Sequence, residues 1–202
     1  MAASRGGPIP RHRVRRGPAI LILTVLALLA AAIIATALRR PAPPAFAPSA
    51  SAALDSAGAF RLTVDATAPE TWRFVSLDRG TVVSRNEPWD LAFRRFHIIT
   101  NGGPGFLGLG GALDLGTGSI DTIHHAPDRG YRQTRADSVH PTLAEWYRYG
   151  FTSHLLTPRG RVYAVRTAAA DAALVEIAGY YCPGPIPGCV TIRYRLLSDP
   201  SN

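Results

Sequence analysis

The sequence predicts a mainly β protein: a single compact antiparallel β domain with one short helix, preceded by one N-terminal transmembrane helix. Three observations lead to this prediction. A long apolar run stands near the N-terminus, residues 189–197 alternate between apolar and polar side chains, and other β-type segments follow one another at turn-length intervals. The chain of 202 residues has room for one domain with additions.

The apolar run covers residues 19–38 and contains no charged residue. A helix of this length would measure about 30 Å, which matches the hydrocarbon core of a bilayer. We therefore predict that residues 18–40 form a transmembrane helix and that residues 1–17 form a basic cytoplasmic arm. Five arginines precede the run, so the positive-inside rule places the C-terminal domain in the periplasm, at a bacterial inner membrane.

A cleaved signal peptide is the alternative interpretation of this run. Such a peptide has an apolar region of about 7–15 residues and a small-residue cleavage site. The run here is longer and is followed by Arg39 and Arg40, but a later Ala-x-Ala pattern leaves cleavage open. Ala27, Ala31 and Ala35 recur every four residues within the run, a small-residue face through which transmembrane helices pack.

Positive charge is concentrated at the N-terminus. Residues 1–40 contain seven arginines and no acidic residue, whereas 15 arginines accompany 14 acidic residues from residue 41 onward. A nearly neutral domain argues against a nucleic-acid partner, which would require a basic face. Residues 41–58 are rich in proline, alanine and serine and are predicted to be an extended linker, with the β domain at residues 59–202.

The β domain is predicted from short segments of alternating polarity. The clearest is residues 189–197, in which Val190, Ile192, Tyr194 and Leu196 share one face. Further strands are predicted at residues 71–77, 81–85, 161–167 and 173–181 and within residues 89–103. Because the segments are close in sequence, we expect antiparallel pairing.

One short helix and one long loop complete the predicted domain. Thr142 and Glu145 have the spacing of a capping box, and Gly150 would end the helix that follows. Residues 101–130 contain nine glycines and little apolar pattern, so they are predicted to form a long loop.

The two cysteines, Cys182 and Cys189, bracket a turn-type sequence, CPGPIPGC. Outside the cytoplasm this arrangement predicts a disulfide, with two free thiols as the alternative. A zinc site is not expected, because no CxxC pair or further ligand is in step with them. No GxSxG, HExxH or phosphate-loop motif is present either, and we predict that the protein is not an enzyme.

Five histidines in the domain are candidate ligands for haem iron, since histidine is a usual axial ligand. They are His97, His124, His125, His140 and His154. A structural role is the alternative for each of them: a half-buried position on a strand for the first, the surface of a loop for the adjacent pair, and support of loop structure for the other two.

The stretch WDLAFRRFHIITNGG at residues 89–103, followed by GLGGA, resembles the HmuY-like family of bacterial β-rich proteins. The similarity continues through residues 146–167 and covers about residues 60–198. It implies a compact, mostly antiparallel β fold, and it implies haem as a ligand, since the founding members hold iron with paired histidines or methionines. Met1 is the single methionine here, so any ligands would be the histidines.

Four residues of this stretch are expected to build the fold rather than a site. Trp89 and Asp90 open the stretch, and Thr100 and Asn101 close it. Aspartate and asparagine at strand ends commonly accept hydrogen bonds from nearby backbone, and Asn-Gly favours a turn.

Two functional hypotheses follow. We favour a non-enzymatic, single-pass accessory subunit without a cofactor, whose partners are membrane lipids and the transmembrane helices of a larger electron-transfer or photosynthetic light-harvesting or reaction-centre complex. The alternative is a membrane-tethered haem or porphyrin binder that uses histidine ligands. A haem site requires two of these histidines facing one apolar pocket, with their second ring nitrogens hydrogen-bonded. A docking subunit requires instead an apolar surface patch on the domain or the helix that is larger than a free monomer normally exposes.

Overall fold

The computed structural model describes residues 16–38 and 42–197, which belong to two compact units divided after Ala42. In the first unit, helix α1 (Arg16–Leu38) contains a segment, Gly17–Thr36, that is long and apolar enough to cross a membrane. None of that segment is buried against protein. Residues 1–15 of the predicted basic arm, together with Arg39 and Arg40, lie outside the described residues.

The second unit is built from antiparallel strands, which confirms the predicted fold class. They are β1 (Ala53–Leu54), β2 (Phe60–Asp65), β3 (Arg73–Ser76), β4 (Thr81–Val83), β5 (Leu91–Arg94), β6 (His97–Thr100), β7 (Gly111–Thr117), β8 (Tyr147–Tyr149), β9 (Leu156–Pro158), β10 (Arg161–Arg166), β11 (Ala172–Cys182) and β12 (Ile186–Leu197). A six-stranded sheet has the order β1-β2-β12-β11-β10-β7, a four-stranded sheet has the order β4-β3-β5-β6, and β8 pairs with β9.

The two larger sheets share one hydrophobic core. Val75 and Phe93 of the four-stranded sheet belong to the same buried cluster as Leu62, Val175 and Ile192 of the six-stranded sheet. Each of these side chains is almost fully buried, and burying one contributes roughly 1.5–3 kcal/mol. The apolar face predicted for residues 189–197, which includes Ile192, therefore packs against this core.

The other face of the six-stranded sheet is closed by an ion network around Arg193. Its guanidinium lies 2.6 Å from Asp55, 2.9 Å from Glu176 and 3.1 Å from Asp121. The hydrogen bond from Arg193 holds the pKa of Asp55 below its usual value. The network therefore ties strand β12 to the segments that precede β2 and follow β7.

The predicted linker, residues 41–58, does not stand away from the domain over residues 44–58, which the structure describes. The Phe46 backbone N–H donates to the Tyr181 carbonyl at 2.8 Å, and the Ala52 N–H donates to the Gly80 carbonyl at 2.6 Å. The Phe46 ring also packs where a Cβ on Gly179 would stand, 2.8 Å from a ring carbon. The prediction of a free linker is wrong for residues 46–52, because their backbone hydrogen bonds to strand β11 and to the turn between β3 and β4 outweigh the proline-rich composition.

The prediction of a long loop at residues 101–130 is also corrected, and the β structure predicted within residues 89–103 consists of two strands. The loop contains strand β7, which pairs along β10 despite its glycines, and a 3₁₀ turn at Ile120–Thr122. The stretch 89–103 is a hairpin, β5 and β6, whose turn places Arg95 at a φ of 53°.

The predicted helix at residues 142–145 is a single 3₁₀ turn, Leu143–Glu145, and strand β8 follows in place of further helix. The Thr142 side chain makes no capping bond; its hydroxyl donates to the Ala112 carbonyl instead. The predicted capping box is therefore wrong. The predicted disulfide between Cys182 and Cys189 is present and closes the turn between β11 and β12.

Candidate functional site

Asp90, directly before β5, is hydrogen-bonded to the loop after β3 and to the loop after β10. Its carboxylate accepts from the Leu77 backbone N–H at 2.8 Å and from the Ala168 N–H at 2.9 Å. Burial raises the pKa of Asp90, although both hydrogen bonds act in the opposite direction. This carboxylate therefore holds the backbone of the two loops at the start of β5.

Asn101 fixes the glycine-rich loop at residues 102–110. Its side-chain amide donates to the Trp89 carbonyl at 2.9 Å, and its side-chain oxygen accepts from the Gly108 N–H at 3.2 Å. At Gly102 a Cβ would lie 2.0 Å from the Gly110 carbonyl oxygen, so only glycine fits there. The hydroxyl of neighbouring Thr100 lies 3.2 Å from that of Thr134, so a buried hydrogen bond links the end of β6 to the segment that carries Thr134.

This loop covers one side of an aromatic groove on the outer face of the four-stranded sheet. The groove has a volume of about 800 Å³. Its floor includes Trp72, Phe74, Trp89 and Phe106. The Trp89 ring centroid lies 4.9 Å from Phe74 and 5.9 Å from Phe106, whose ring meets it edge-on. Of the described residues that line the groove, none is a histidine.

His140 is excluded as a ligand by its own hydrogen bonds. Its Nδ1 accepts from the backbone N–H groups of Thr142 and Leu143, both at 3.2 Å, and its Nε2 lies 3.0 Å from the Arg132 carbonyl oxygen. The ring is almost completely buried, and burial lowers the pKa of His140 to about 4. His140, rather than Thr142, is thus the residue that caps the 3₁₀ turn.

His154 lies in the turn between β8 and β9 and has a φ of 55°. Its Nδ1 shares a hydrogen bond with the Tyr149 hydroxyl, which orients the ring and leaves Nε2 available. Tyr149 also contacts Phe151, an aromatic side chain that is 86% exposed. An oriented imidazole beside an exposed aromatic surface is the arrangement that best suits a ligand among the described histidines.

His97 begins strand β6 beside a second part of this aromatic surface. Its ring lies 4.3 Å from the Phe96 ring, which in turn lies 5.7 Å from the Tyr147 ring. Tyr147 and Tyr149 are two residues apart on β8 and therefore project from the same face of the strand. Partial burial, together with the charge of Arg94, lowers the pKa of His97 and favours its neutral form.

His124 and His125 are exposed in the loop that follows the first 3₁₀ turn. Within residues 16–38 and 42–197, no group of three or more histidine, cysteine, aspartate or glutamate side chains is arranged to hold a metal ion. On helix α1, Ala27, Ala31 and Ala35 are exposed and lie on one face by their spacing.

Sequence analysis did not identify the groove, although a signal for it was present. Phe106, Leu107 and Leu109 are large apolar residues inside a glycine-rich loop, where they have no strand or helix to bury them. Leu107 and Leu109 are strongly exposed in the structure, whereas the Phe106 ring forms part of the floor of the groove, edge-on to Trp89.

The protein-family model described as HmuY protein matches residues 68–194. The matched region includes the groove, the β8–β9 hairpin and all five candidate histidines. No curated protein matches the chain.

Several solved structures share the fold of the domain, among them three bacterial proteins. A protein of Bacteroides fragilis described as a lipoprotein is 18% identical, with a TM-score of 0.58, over 74% of this chain and 95% of its own. A Bacteroides vulgatus protein described as HmuY-like and haem-binding is 19% identical, with a TM-score of 0.58, over 72% and 97%. The apo HmuY analogue of Tannerella forsythia is 17% identical, with a TM-score of 0.58, over 70% and 96%. At these identities the likeness is one of fold.

Proposed function

The chain belongs to the HmuY family, and from this premise we propose that its β domain binds haem at the β8–β9 hairpin. In this proposal the N-terminal helix tethers the domain to a bacterial inner membrane, with the N-terminus in the cytoplasm and the domain in the periplasm. A solved relative of the same fold is described as a haem-binding protein, which supports the choice of ligand.

The observation that carries the proposal is the pairing of His154 with Tyr149. When Nδ1 carries the ring proton and donates it to the Tyr149 hydroxyl, the hydrogen bond fixes the plane of the imidazole and leaves Nε2 unprotonated to bind the iron. Phe151, exposed beside this pair, offers an aromatic face to a porphyrin ring. Covering it with a flat apolar ligand would remove a large apolar side chain from water.

His97 is the proposed second ligand. Iron binds the neutral imidazole, and the environment of His97 lowers its pKa and so favours that form. The ring contacts from His97 through Phe96 to Tyr147 bring it to the strand that also carries Tyr149. Bound haem would supply a redox-active iron, while these side chains would orient it and exclude water from one of its faces.

Haem titration of the full chain in mild detergent tests this site. We expect a saturable Soret band at one haem per chain, and we expect His154→Ala to weaken haem binding by at least about tenfold because it would remove a side chain that holds the iron. The matched control is the double variant His124→Ala with His125→Ala, which removes two exposed histidines. The proposal fails if the control loses as much affinity as His154→Ala, or if the intact chain gives no saturable band.

An accessory role on a larger membrane complex is the second candidate, and a different observation favours it. Leu107 is fully exposed on a loop held rigidly by Asn101, and exposed Leu109 stands two residues further on. Exposed apolar side chains that lie close together mark surfaces for interaction with proteins or membranes. On helix α1, the Ala27, Ala31 and Ala35 face would allow a second transmembrane helix to approach closely.

Purification of the tagged chain from its native membrane in gentle detergent tests the docking role. The expected result is a fixed stoichiometry with the same partner proteins. Leu107→Gln should reduce the recovery of these partners several-fold, because an exposed apolar contact is lost. Leu54→Gln is the matched control, since Leu54 is also exposed but lies on β1. If both variants retain the partners equally, the loop is not the docking surface.

A further inference from the structure

We propose that the aromatic groove on the outer face of the four-stranded sheet binds a small aromatic or polycyclic carboxylate, whose charged group is held by Arg85. This site is separate from the β8–β9 hairpin and does not depend on haem binding. The inference rests on the floor of the groove, the rigidity of its loop and the charge of its rim.

The floor of the groove is a continuous set of rings. Trp89 contacts Phe74 on one side and Phe106 on the other, at centroid distances of 4.9 Å and 5.9 Å. Ile99 and Trp72 extend the apolar lining. Aromatic rings pair favourably with other flat ring systems through stacked and edge-to-face contacts, so the floor selects a planar ligand.

The loop that forms one wall is held in place by hydrogen bonds within the domain. The Asn101 side chain donates to the Trp89 carbonyl and accepts from the Gly108 N–H. The Gly110 N–H donates to the Asn101 backbone carbonyl at 2.8 Å. A wall fixed in this way requires little ordering when a ligand binds, which favours affinity. The volume of about 800 Å³ also lies within the usual range of small-molecule sites, about 300–1,000 Å³.

The rim of the groove carries a free positive charge. Within the described part of the chain, the Arg85 guanidinium has no hydrogen-bond or ion-pair partner. The carboxylate of nearby Glu87 is already engaged, since it accepts from the Arg79 guanidinium and from the Ser84 N–H, both at 2.8 Å. The unpaired group at the rim is therefore a cation, and the complementary ligand is an anion.

The ligand class follows from combining these features. A guanidinium recognises a carboxylate through two parallel hydrogen bonds, while the rings below it accept a flat apolar body. No histidine, cysteine, methionine or tyrosine lies among the described residues that line the groove, so a metal centre would have no ligand of those types there. The groove thus fits an organic anion held by its ring system and its carboxylate.

Photolabelling of the full chain in detergent with 4-benzoylbenzoate tests the proposal. We expect saturable labelling at one probe per chain, located by peptide mass spectrometry in the segments that carry Trp89 and Phe106. Naphthalene-2-carboxylate should compete with the probe. Arg85→Gln should weaken labelling about tenfold, since it removes a charge-assisted hydrogen bond.

The controls separate this site from charge effects and from the haem site. Arg129→Gln removes another exposed arginine and should leave labelling unchanged. His154→Ala should also leave it unchanged, whereas Arg85→Gln should leave the haem titration unchanged. The proposal is overturned if labelling is not saturable, if it lies outside the groove, or if the two arginine variants reduce it equally.

Discussion

Replacing Asp90 with alanine is expected to lower the free energy of unfolding of the β domain by about 4 kcal/mol. The carboxylate is the acceptor for two backbone N–H groups, those of Leu77 and Ala168, and both lose their partner in the variant. An unsatisfied buried donor costs about 1–3 kcal/mol, and here two are created together. Single domains are stable by about 5–15 kcal/mol, so the loss is a large fraction of the total.

Urea unfolding of the full chain, followed by near-ultraviolet circular dichroism, measures this loss. Asp78→Ala is the matched control, because Asp78 is exposed one residue beyond Leu77 and should change stability by less than about 0.5 kcal/mol. Asp90→Asn keeps one carbonyl oxygen but turns an amide donor toward the other N–H, so it should recover half of the loss or less. Equal stabilities of Asp90→Ala and Asp78→Ala would contradict the structural role of Asp90.

The sequence predicted the mainly β fold because its strongest signals are local. The apolar run of residues 19–38 and the alternation around Ile192 each report on their own segment, and both segments form the elements that they predict. The disulfide of Cys182 and Cys189 was predictable for the same reason, since its partners are seven residues apart. Local patterns of this kind are unaffected by how the rest of the chain folds.

The errors arise where distant contacts decide the local structure. Residues 44–54 have the composition of a linker, but Phe46 finds a space left open by Gly179, far along the chain. Strand β7 lies in a glycine-rich stretch and forms because β10 provides a partner for its backbone. Neither Gly179 nor β10 can be matched to those segments from the segments alone.

The candidate sites show the same division. Asp90 and Asn101 were identified as fold-building residues, because their roles are typical of aspartate and asparagine at strand ends. The groove brings Trp72, Trp89 and Phe106 together from three separate segments, and their spacing in the sequence does not predict that they lie close together. Among the histidines, only the three-dimensional contacts distinguish the oriented ring of His154 from the capping ring of His140.

Stability of the domain is expected to fall between pH 6.5 and pH 4 because of His140. Burial lowers the pKa of the folded-state imidazole from 6.5 to about 4, so the unfolded chain binds a proton in this range that the folded domain does not. Stability therefore rises with pH across the window and is complete above the unfolded pKa. A shift of this size corresponds to roughly 3 kcal/mol.

The physical cause is the cap that His140 provides. Its Nδ1 accepts from two backbone N–H groups and has no lone pair for them once it is protonated. The acidic groups whose pKa is lowered in the folded domain, such as Asp55, act in a different window. Their contribution is lost only as pH falls below about 4, through their folded-state pKa values.

Urea unfolding at pH 7, pH 5.5 and pH 4.5 isolates the contribution of His140. Asparagine accepts the capping bonds with its side-chain oxygen and does not titrate, so His140→Asn should flatten the decline by about 2–3 kcal/mol at pH 4.5 relative to pH 7. His97→Asn is the comparison variant, because partial burial also lowers the pKa of His97 in the same direction. If His140→Asn declines with pH as steeply as the unaltered chain, the buried ring is not the group that titrates.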